Sequence, residues 1–167
     1  MKIGRKARQT TATGAGYRFA VVVSRFNVTI TKRLLDGAVE CLKKHGVRDE
    51  DVKVFPCPGA FELPQVASAL CSQGGWDAII CLGAVIRGET PHFEYVSSEA
   101  ARGIQEVALR HSAPVTFGVL TTNSRRQAMD RSGGKHGNKG WDAALAAVEM
   151  VEVFDRVIKR RKSIRTR

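Results

Sequence analysis

The sequence lacks the patterns that mark membrane and secreted proteins. Its longest apolar run, Ala78–Ile86, is far shorter than the ~18 residues that span a bilayer, so no membrane partner is expected. Residues 1–16 carry cations but no apolar stretch of signal-peptide type, and they form a very short segment for a transit peptide. We therefore expect a cytoplasmic protein.

Cysteines are few, and they form no metal or redox motif. Cys41, Cys57, Cys71 and Cys81 stand 16, 14 and 10 positions apart, without a CxxC pair or a histidine at metal-ligand spacing. This pattern argues against zinc sites and thioredoxin-type chemistry and is typical of small buried hydrophobic residues in a reducing compartment. Glycine-rich dinucleotide and P-loop motifs are also missing, which disfavours nicotinamides and nucleoside triphosphates as ligands.

Acidic residues are scarce at both ends of the chain. Lys and Arg number 27 against 16 Asp and Glu, a net charge of +11, of which residues 1–16 hold +4 and residues 155–167 hold +6. Residues 17–154 are almost neutral, with 16 cations and 15 acids. The length of 167 residues fits one domain. We predict a basic N-terminal segment at 1–16, the domain at 17–154, and the end of the last helix with a basic tail at 155–167. Nucleic acid binding is expected only as a weak attraction by these tails.

Apolar patterns alternate between strand type and helix type four times along the chain. Short, nearly continuous apolar runs predict buried strands, and apolar residues at helical spacing follow each of them. Parallel strands need such crossover helices. The sequence therefore predicts a flavodoxin-like three-layer α/β/α sandwich with a four-stranded parallel sheet. The predicted strands are 18–23, 52–55, 77–85 and 115–120, and the predicted helices are 28–45, one from 63, 91–111, 124–132 and 139–160.

Unusual polar and aromatic residues follow each predicted strand, in segments 25–27, 59–62, 84–92 and 121–122. Open α/β sheets bind ligands beyond the carboxyl ends of their strands. The third segment runs from Arg87-Gly88 into a helix N-terminus, which attracts anions such as phosphate. An equally good interpretation is a strand-to-helix turn with Thr90 as N-cap and Pro91 at the first helical position. His92 beside it is a candidate for proton transfer, or a surface residue of the first turn.

Other candidates in these segments keep two interpretations each. Phe26 suits stacking on a planar heterocycle but equally a hydrophobic staple onto the next helix. Glu62 can read donor groups of a ligand or simply occupy a first helical turn. Arg131 and Lys139 can bring cations to a phosphate or be ordinary surface charges. His45 and His111 lie at predicted helix ends, where the helix dipole accounts for them.

Five segments match one known family in order and register, within a region from about residue 18 to 155: Arg25–Asn27, Pro58–Pro64, Gly83–Val96, Gly118–Thr122 and Gly137–Gly140. Together they resemble the 6,7-dimethyl-8-ribityllumazine synthase family. The resemblance implies condensation of 5-amino-6-(D-ribitylamino)uracil with 3,4-dihydroxy-2-butanone 4-phosphate, which releases phosphate and water in the penultimate step of riboflavin biosynthesis. It also implies that no cofactor or metal is needed.

The resemblance also implies roles for individual residues. His92 would transfer protons, Phe26 would stack on the pyrimidine, and Glu89 and Thr90 would take the phosphate together with Arg131. Phe117, Arg131 and Lys139 would reach in from a neighbouring subunit. The full set of implied substrate-binding residues is Phe26, Asn27, Ala60, Phe61, Glu62, Ala84, Val85, Ile86, Glu89, Thr90, Phe117, Arg131 and Lys139.

Two positions depart from the family pattern. Ala84 stands where many members have Thr, and Asp130 where Glu is common, so altered substrate affinity is expected rather than loss of activity.

The family forms pentamers, and the short turn at 133–138 resembles that of members whose pentamers build a 60-subunit icosahedral shell. The alternatives are a non-catalytic shell or scaffold protein of the same fold with tail-mediated polyanion binding, and a flavodoxin-like flavin binder.

Overall fold

A parallel sheet of four strands forms the centre of the protein. The computed structural model describes the backbone of residues 11–165 and the side chains of residues 11–157. Every pair of neighbouring strands in the sheet runs parallel. In the order β2-β1-β3-β4, the strands are β1 (Phe19–Ser24), β2 (Val52–Cys57), β3 (Ala78–Ile86) and β4 (Val115–Thr122).

Helices cover both faces of this sheet. One face packs against α1 and α5, and the other against α2 and α3. The predicted three-layer α/β/α architecture is therefore confirmed. The helices are α1 (Val28–Lys44), α2 (Leu63–Gln73), α3 (His92–His111), α4 (Arg125–Arg131) and α5 (Lys139–Arg165).

Burial on both faces explains why the strands are apolar runs. In β1, Phe19 and Val21 belong to the core under α1 and α5, whereas Ala20 and Val22 belong to the core under α2 and α3. All six residues of β1 are buried, and so are the first eight of β3. The edge strand β2 is more open, with Val54 41% exposed. The two hydrophobic cores thus fix which strands are central.

The ends of α1 follow the sequence signals. Asn27 is the N-cap residue and Gly46 follows the C-cap with φ of 83°, as predicted. The Asn27 side chain, however, makes no capping hydrogen bond. Its amide is used elsewhere, and this use helps to build the site described below.

Three features differ from the prediction. The strand β4 continues through Thr121 and Thr122, which were expected in a loop. A small antiparallel hairpin connects α4 to α5 and consists of β5 (Ser132–Gly134) and β6 (Gly137–Asn138). The last helix continues to Arg165 rather than ending near residue 160.

The segment before β1 packs against α5. Thr13 N–H donates to the Glu152 carboxylate at 2.9 Å, and the Tyr17 hydroxyl donates to Asp155 at 2.8 Å. Residues 1–10 of the basic N-terminal segment, and the side chains after residue 157 of the basic tail, lie outside the described residues. None of the helices among the described residues combines the length and the apolar composition of a membrane span.

Candidate active site

A cleft of about 570 Å³ opens at the carboxyl ends of β1, β2 and β3. This volume lies in the range of sites that take a small organic ligand, and the cleft occupies the place where parallel α/β sheets bind ligands. Apolar and aromatic side chains dominate its wall, with a few polar groups among them. The lining residues are Phe26, Gly59, Ala60, Phe61, Glu62, Ala84, Val85, Ile86, Gly88, Thr90, His92, Phe93, Tyr95 and Val96.

Phe26 is held at the mouth of the cleft by its own backbone and by its neighbour. Its N–H donates to the carbonyl of Pro58 at 3.0 Å, and the Asn27 amide donates to the carbonyl of Ala84 at 2.9 Å. Asn27 adopts the left-handed conformation, with φ of 59°, which asparagine tolerates better than most residues. The Phe26 ring is 71% exposed, so it is free to stack and does not serve as a staple onto α1.

The segment after β2 forms a second wall. Ala60–Glu62 makes one turn of 3₁₀ helix, and Glu62 then occupies the N-cap position of α2. A Cβ added at Gly59 would lie 3.0 Å from the Glu62 carboxylate oxygen, so the absence of a side chain there leaves room for that carboxylate. Phe61 is half exposed. This turn therefore offers one acceptor and one aromatic ring to a ligand.

The segment after β3 carries His92 into the cleft. The helix α3 begins at His92, and Pro91 rather than Thr90 occupies its N-cap position, without a side-chain capping bond. The prediction of a Thr90 cap is therefore wrong: Pro91 has helical φ and ψ, and its carbonyl accepts the N–H of Glu94 at 2.9 Å. Thr90 is left exposed on the cleft wall, close in sequence to His92.

A second cleft, of about 380 Å³, lies along β4. It holds Phe117, Arg131 and Lys139, three predicted site residues that this chain does not bring to the first cleft. Lys139 forms an ion pair with Asp142 at 2.5 Å, and the Arg131 guanidinium donates to the carbonyl of Gln127 at 3.2 Å. A single chain thus presents two separate groups of candidate residues.

Some predicted residues lie outside both clefts, and some lining residues were missed. Asn27 and Glu89 are not on either wall, although each neighbours a residue that is. Tyr95, one helical turn after His92 and 69% exposed, was not predicted. Its spacing of three from His92 was the available signal. Asp142 of the second cleft was missed as well, although it stands three residues after Lys139.

Burial makes the thiol of Cys57, which contacts the lining residue Gly59, a poor nucleophile. Cys57, the last residue of β2, donates its thiol to the carbonyl of Gly59 at 3.4 Å. Burial and the Glu62 carboxylate raise the pKa of this thiol, and the thiolate is the reactive form. All four cysteines are free. Among the described residues, no group of three or more His, Cys, Asp or Glu side chains can hold a metal ion.

The first cleft lies at the carboxyl edge of a parallel α/β sheet and contains an imidazole, a carboxylate and an exposed aromatic ring. These features define a class of protein: an α/β enzyme suited to proton-transfer chemistry on a planar substrate. Comparison with known sequences gives the family. The family model described as 6,7-dimethyl-8-ribityllumazine synthase matches residues 16–155. The chain belongs to this family and is therefore a transferase of riboflavin biosynthesis.

Two relatives illustrate the similarity. A 6,7-dimethyl-8-ribityllumazine synthase from Chlorobium phaeobacteroides is 52% identical over 139 residues, which cover 83% of this chain and 90% of the relative. A protein of the same name from Prosthecochloris aestuarii is 49% identical over 152 residues, or 91% of this chain and 98% of the relative.

Proposed function

We propose that this chain condenses 5-amino-6-(D-ribitylamino)uracil with 3,4-dihydroxy-2-butanone 4-phosphate, forming 6,7-dimethyl-8-ribityllumazine and releasing phosphate and two waters. The observation that carries the proposal is the first cleft, which has the size of a small-molecule site and is lined by Phe26, Glu62 and His92 together. Schiff-base formation, phosphate elimination and ring closure all require proton transfer. Orientation of two bound substrates can supply ~7–11 kcal/mol of the catalytic effect.

The first cleft is suited to the pyrimidine substrate. Phe26 stacks on the ring, as expected for an exposed aromatic side chain at a cleft mouth. The ribityl chain lies along Ala60, Phe61 and Glu62, where the carboxylate accepts hydroxyl hydrogen bonds. The backbone of Ala84, Val85 and Ile86 borders the ring. All of these lining positions surround one cavity, and Asn27 supports the arrangement through its bond to Ala84.

The phosphorylated substrate lies near the start of α3. Glu89 and Thr90 present backbone N–H groups where the dipole of a helix favours an anion. His92, one residue into the helix, transfers protons between the reacting groups. Arg131 completes the phosphate site with a guanidinium, whose fork suits phosphate oxygens.

Arg131, Lys139 and Phe117 come from a neighbouring subunit. Support comes from their position in the second cleft, away from the His92 wall of the same chain. Exposed apolar residues on α5 also favour association: Met150, Val153 and Val157, at helical spacing, are 37%, 42% and 54% exposed. We propose a pentameric ring, and twelve such rings in a 60-subunit shell, in the cytoplasm. Native mass spectrometry would test the ring directly as a mass five times that of the chain.

The reaction is tested by mixing the protein with both substrates and following the lumazine product by absorbance and fluorescence. We expect catalysed formation without an added cofactor or metal, slowed about 100-fold in His92→Ala, in line with general acid–base catalysis, and also slowed in Arg131→Ala. Arg126→Ala, an exposed arginine on the same helix that lines neither cleft, is the matched control and should keep the wild-type rate. An assembled oligomer no faster than the spontaneous condensation would favour the non-catalytic scaffold.

Shared sites are tested by complementation. His92→Ala and Arg131→Ala chains are co-expressed in equal amounts, so that rings contain both. If His92 and Arg131 of one site belong to different chains, random mixing leaves both wild-type groups at about a quarter of the interfaces, and about a quarter of the wild-type activity returns. If both groups belong to one chain, no activity returns.

A further inference from the structure

Arg87 lines neither cleft, but it is the centre of a side-chain cluster that includes Phe93, a lining residue of the first cleft. Arg87 directly follows β3, and its Nε–H donates to the side-chain oxygen Oδ1 of Asn123 at 2.9 Å. Its Nη1 forms an ion pair with Glu94 at 2.5 Å. The guanidinium also lies over the Phe93 ring, with its carbon 4.4 Å from the ring centroid. One side chain therefore makes an ion pair, a hydrogen bond and a cation–π contact.

These contacts join three elements. The Arg87 N–H donates to the carbonyl of Thr122 at 2.9 Å, which fixes the end of β3 against the end of β4. Asn123 precedes the N-cap of α4, and its N–H is held by the Gln127 side chain at 2.9 Å. Glu94 and Phe93 belong to the first turn of α3. The start of α3, the start of α4 and the end of β3 are thus tied to one guanidinium.

The first turn of α3 is the part of the site that needs such support. His92 is the first residue of this helix and is exposed, as are Gly88, Glu89 and Thr90 before it. A Cβ at Gly88 would meet nothing within 4 Å, so this segment passes over open space. Phe93, the residue after His92, is both a lining residue of the cleft and the ring under Arg87.

We infer that Arg87 is a positioning residue, which holds the first turn of α3 so that His92 faces the bound substrates; the inference rests on the proposed function. Lysine cannot replace it fully, because a planar guanidinium serves two acceptors and a ring at once, whereas an ammonium is a single point charge. The Arg87 and Glu94 side chains are 44% and 57% exposed. Such an exposed ion pair adds little to the global stability of the fold. Its effect is therefore on the position of the first turn of α3.

The experiment compares Arg87→Met, Arg87→Lys and Glu94→Gln with the wild type in kcat, in KM for each substrate and in Tm. Arg48→Met is the matched control, because Arg48 is also exposed and pairs with two carboxylates, Glu50 and Asp51, but at the start of β2, the opposite end of the sheet. We expect Arg87→Met to lower kcat about tenfold or more, since a displacement near 1 Å can cost ~100-fold. The Tm and the KM for the pyrimidine substrate stay near wild type, and Arg87→Lys recovers part of the loss.

A second variant keeps the inference open to refutation should Arg87→Met fold poorly. Glu94→Gln keeps the size of the side chain and weakens the ion pair, and it should lower kcat severalfold. The double variant, Arg87→Met with Glu94→Gln, should be no slower than Arg87→Met alone, because both substitutions break the same side-chain network. If the wild type is active and Arg87→Met has the same kcat as Arg48→Met, the inference is wrong but the proposed function stands. The same holds if kcat falls only in proportion to a fall in Tm. A wild-type protein without catalysis overturns the proposed function and this inference with it.

Discussion

The neighbours of Phe26 show how single residues build the cleft. The ring stands at the mouth because the backbone on one side is tied to Pro58 and the side chain of Asn27 on the other side is tied to Ala84. One anchor, Pro58, directly follows β2 and the other, Ala84, lies in β3, so the loop cannot move away from either without breaking a hydrogen bond. The exposed ring is therefore held in place before any ligand arrives, which lowers the ordering cost of binding.

Phe26→Ala removes this stacking surface. We expect the KM for the pyrimidine substrate to rise about twofold to tenfold, because an aromatic stacking contact is worth ~0.5–1.5 kcal/mol and every 1.4 kcal/mol is about a factor of ten in affinity. The KM for the phosphorylated substrate should stay unchanged. Steady-state kinetics with each substrate varied in turn measure both values. Val28→Ala, at a nearby exposed apolar residue that does not line the cleft, is the control, and an equal rise of KM in that variant would contradict the stacking role.

The four cysteines should resist alkylation in the folded protein. Burial raises the pKa of the Cys41 thiol to about 12 and raises that of Cys81 further. A raised pKa leaves little reactive thiolate at pH 8, and the fraction grows only as the pH approaches the raised value. We expect iodoacetamide to modify the partly buried Cys71 first, and all four at ordinary thiol rates in urea, as peptide mass spectrometry would measure. Rapid labelling of Cys81 at pH 8 in the folded protein would contradict this expectation.

At the scale of elements, the closest packing joins α1 to the start of α5. Gly140 lies against the backbone carbonyl of Leu34 so closely that any side chain would overlap it. Asn138 ties the two helices together: its amide N–H donates to the carbonyl of Arg33 at 2.8 Å, and its oxygen accepts the N–H of Gly140 at 2.8 Å. This contact also sets the direction in which α5 leaves the second cleft.

Gly140→Ala should therefore destabilise the fold strongly. The added methyl group forces α1 and α5 apart, and overpacking of this kind costs about 3 kcal/mol. Thermal unfolding would show the loss as a lower Tm. Gly88→Ala is the control for stability, because its added methyl group meets nothing within 4 Å. Equal Tm values for the two variants would show that the helices adjust freely at Gly140.

Elements that depend on local pattern could be predicted from the sequence, and those that depend on tertiary contacts could not. The four strands follow from apolar runs, and the first cleft follows because parallel strands end at one edge. The sequence predicted that α3 begins at Pro91, one residue too early. Pro91 has a helical φ but is the N-cap residue, and the helix begins at His92. The grouping of Phe117, Arg131 and Lys139 in the second cleft depends on how α4 and α5 meet β4, which no local spacing reveals.

At the scale of the whole molecule, charge and fold are separated along the chain. Residues 1–10 and 158–167 contain ten cations and no acid, out of a net charge of +11. Both segments lie outside the residues whose side chains are described, and the predicted domain lies between them. Catalysis and attraction for polyanions should therefore be separable properties.

A shortened chain of residues 11–157 tests this separation. We expect its kcat to stay within about twofold of the full chain, because all residues of both clefts remain. Elution from heparin should move to much lower salt, since the released counterions scale with the number of cations. The activity assay and a salt gradient measure the two properties independently. Unchanged elution would show that the folded body, not the tails, binds polyanions.

The presence of two clefts on one chain has a consequence for how activity depends on the number of subunits. With the pairing proposed above, a row of subunits always ends in one unmatched cleft of each kind, so n chains in a row hold n − 1 complete sites. Closure into a ring removes both ends and adds the missing site. Turnover per chain therefore rises with the length of the row and reaches its full value only when no end remains, so that catalysis itself reports whether the ring has closed.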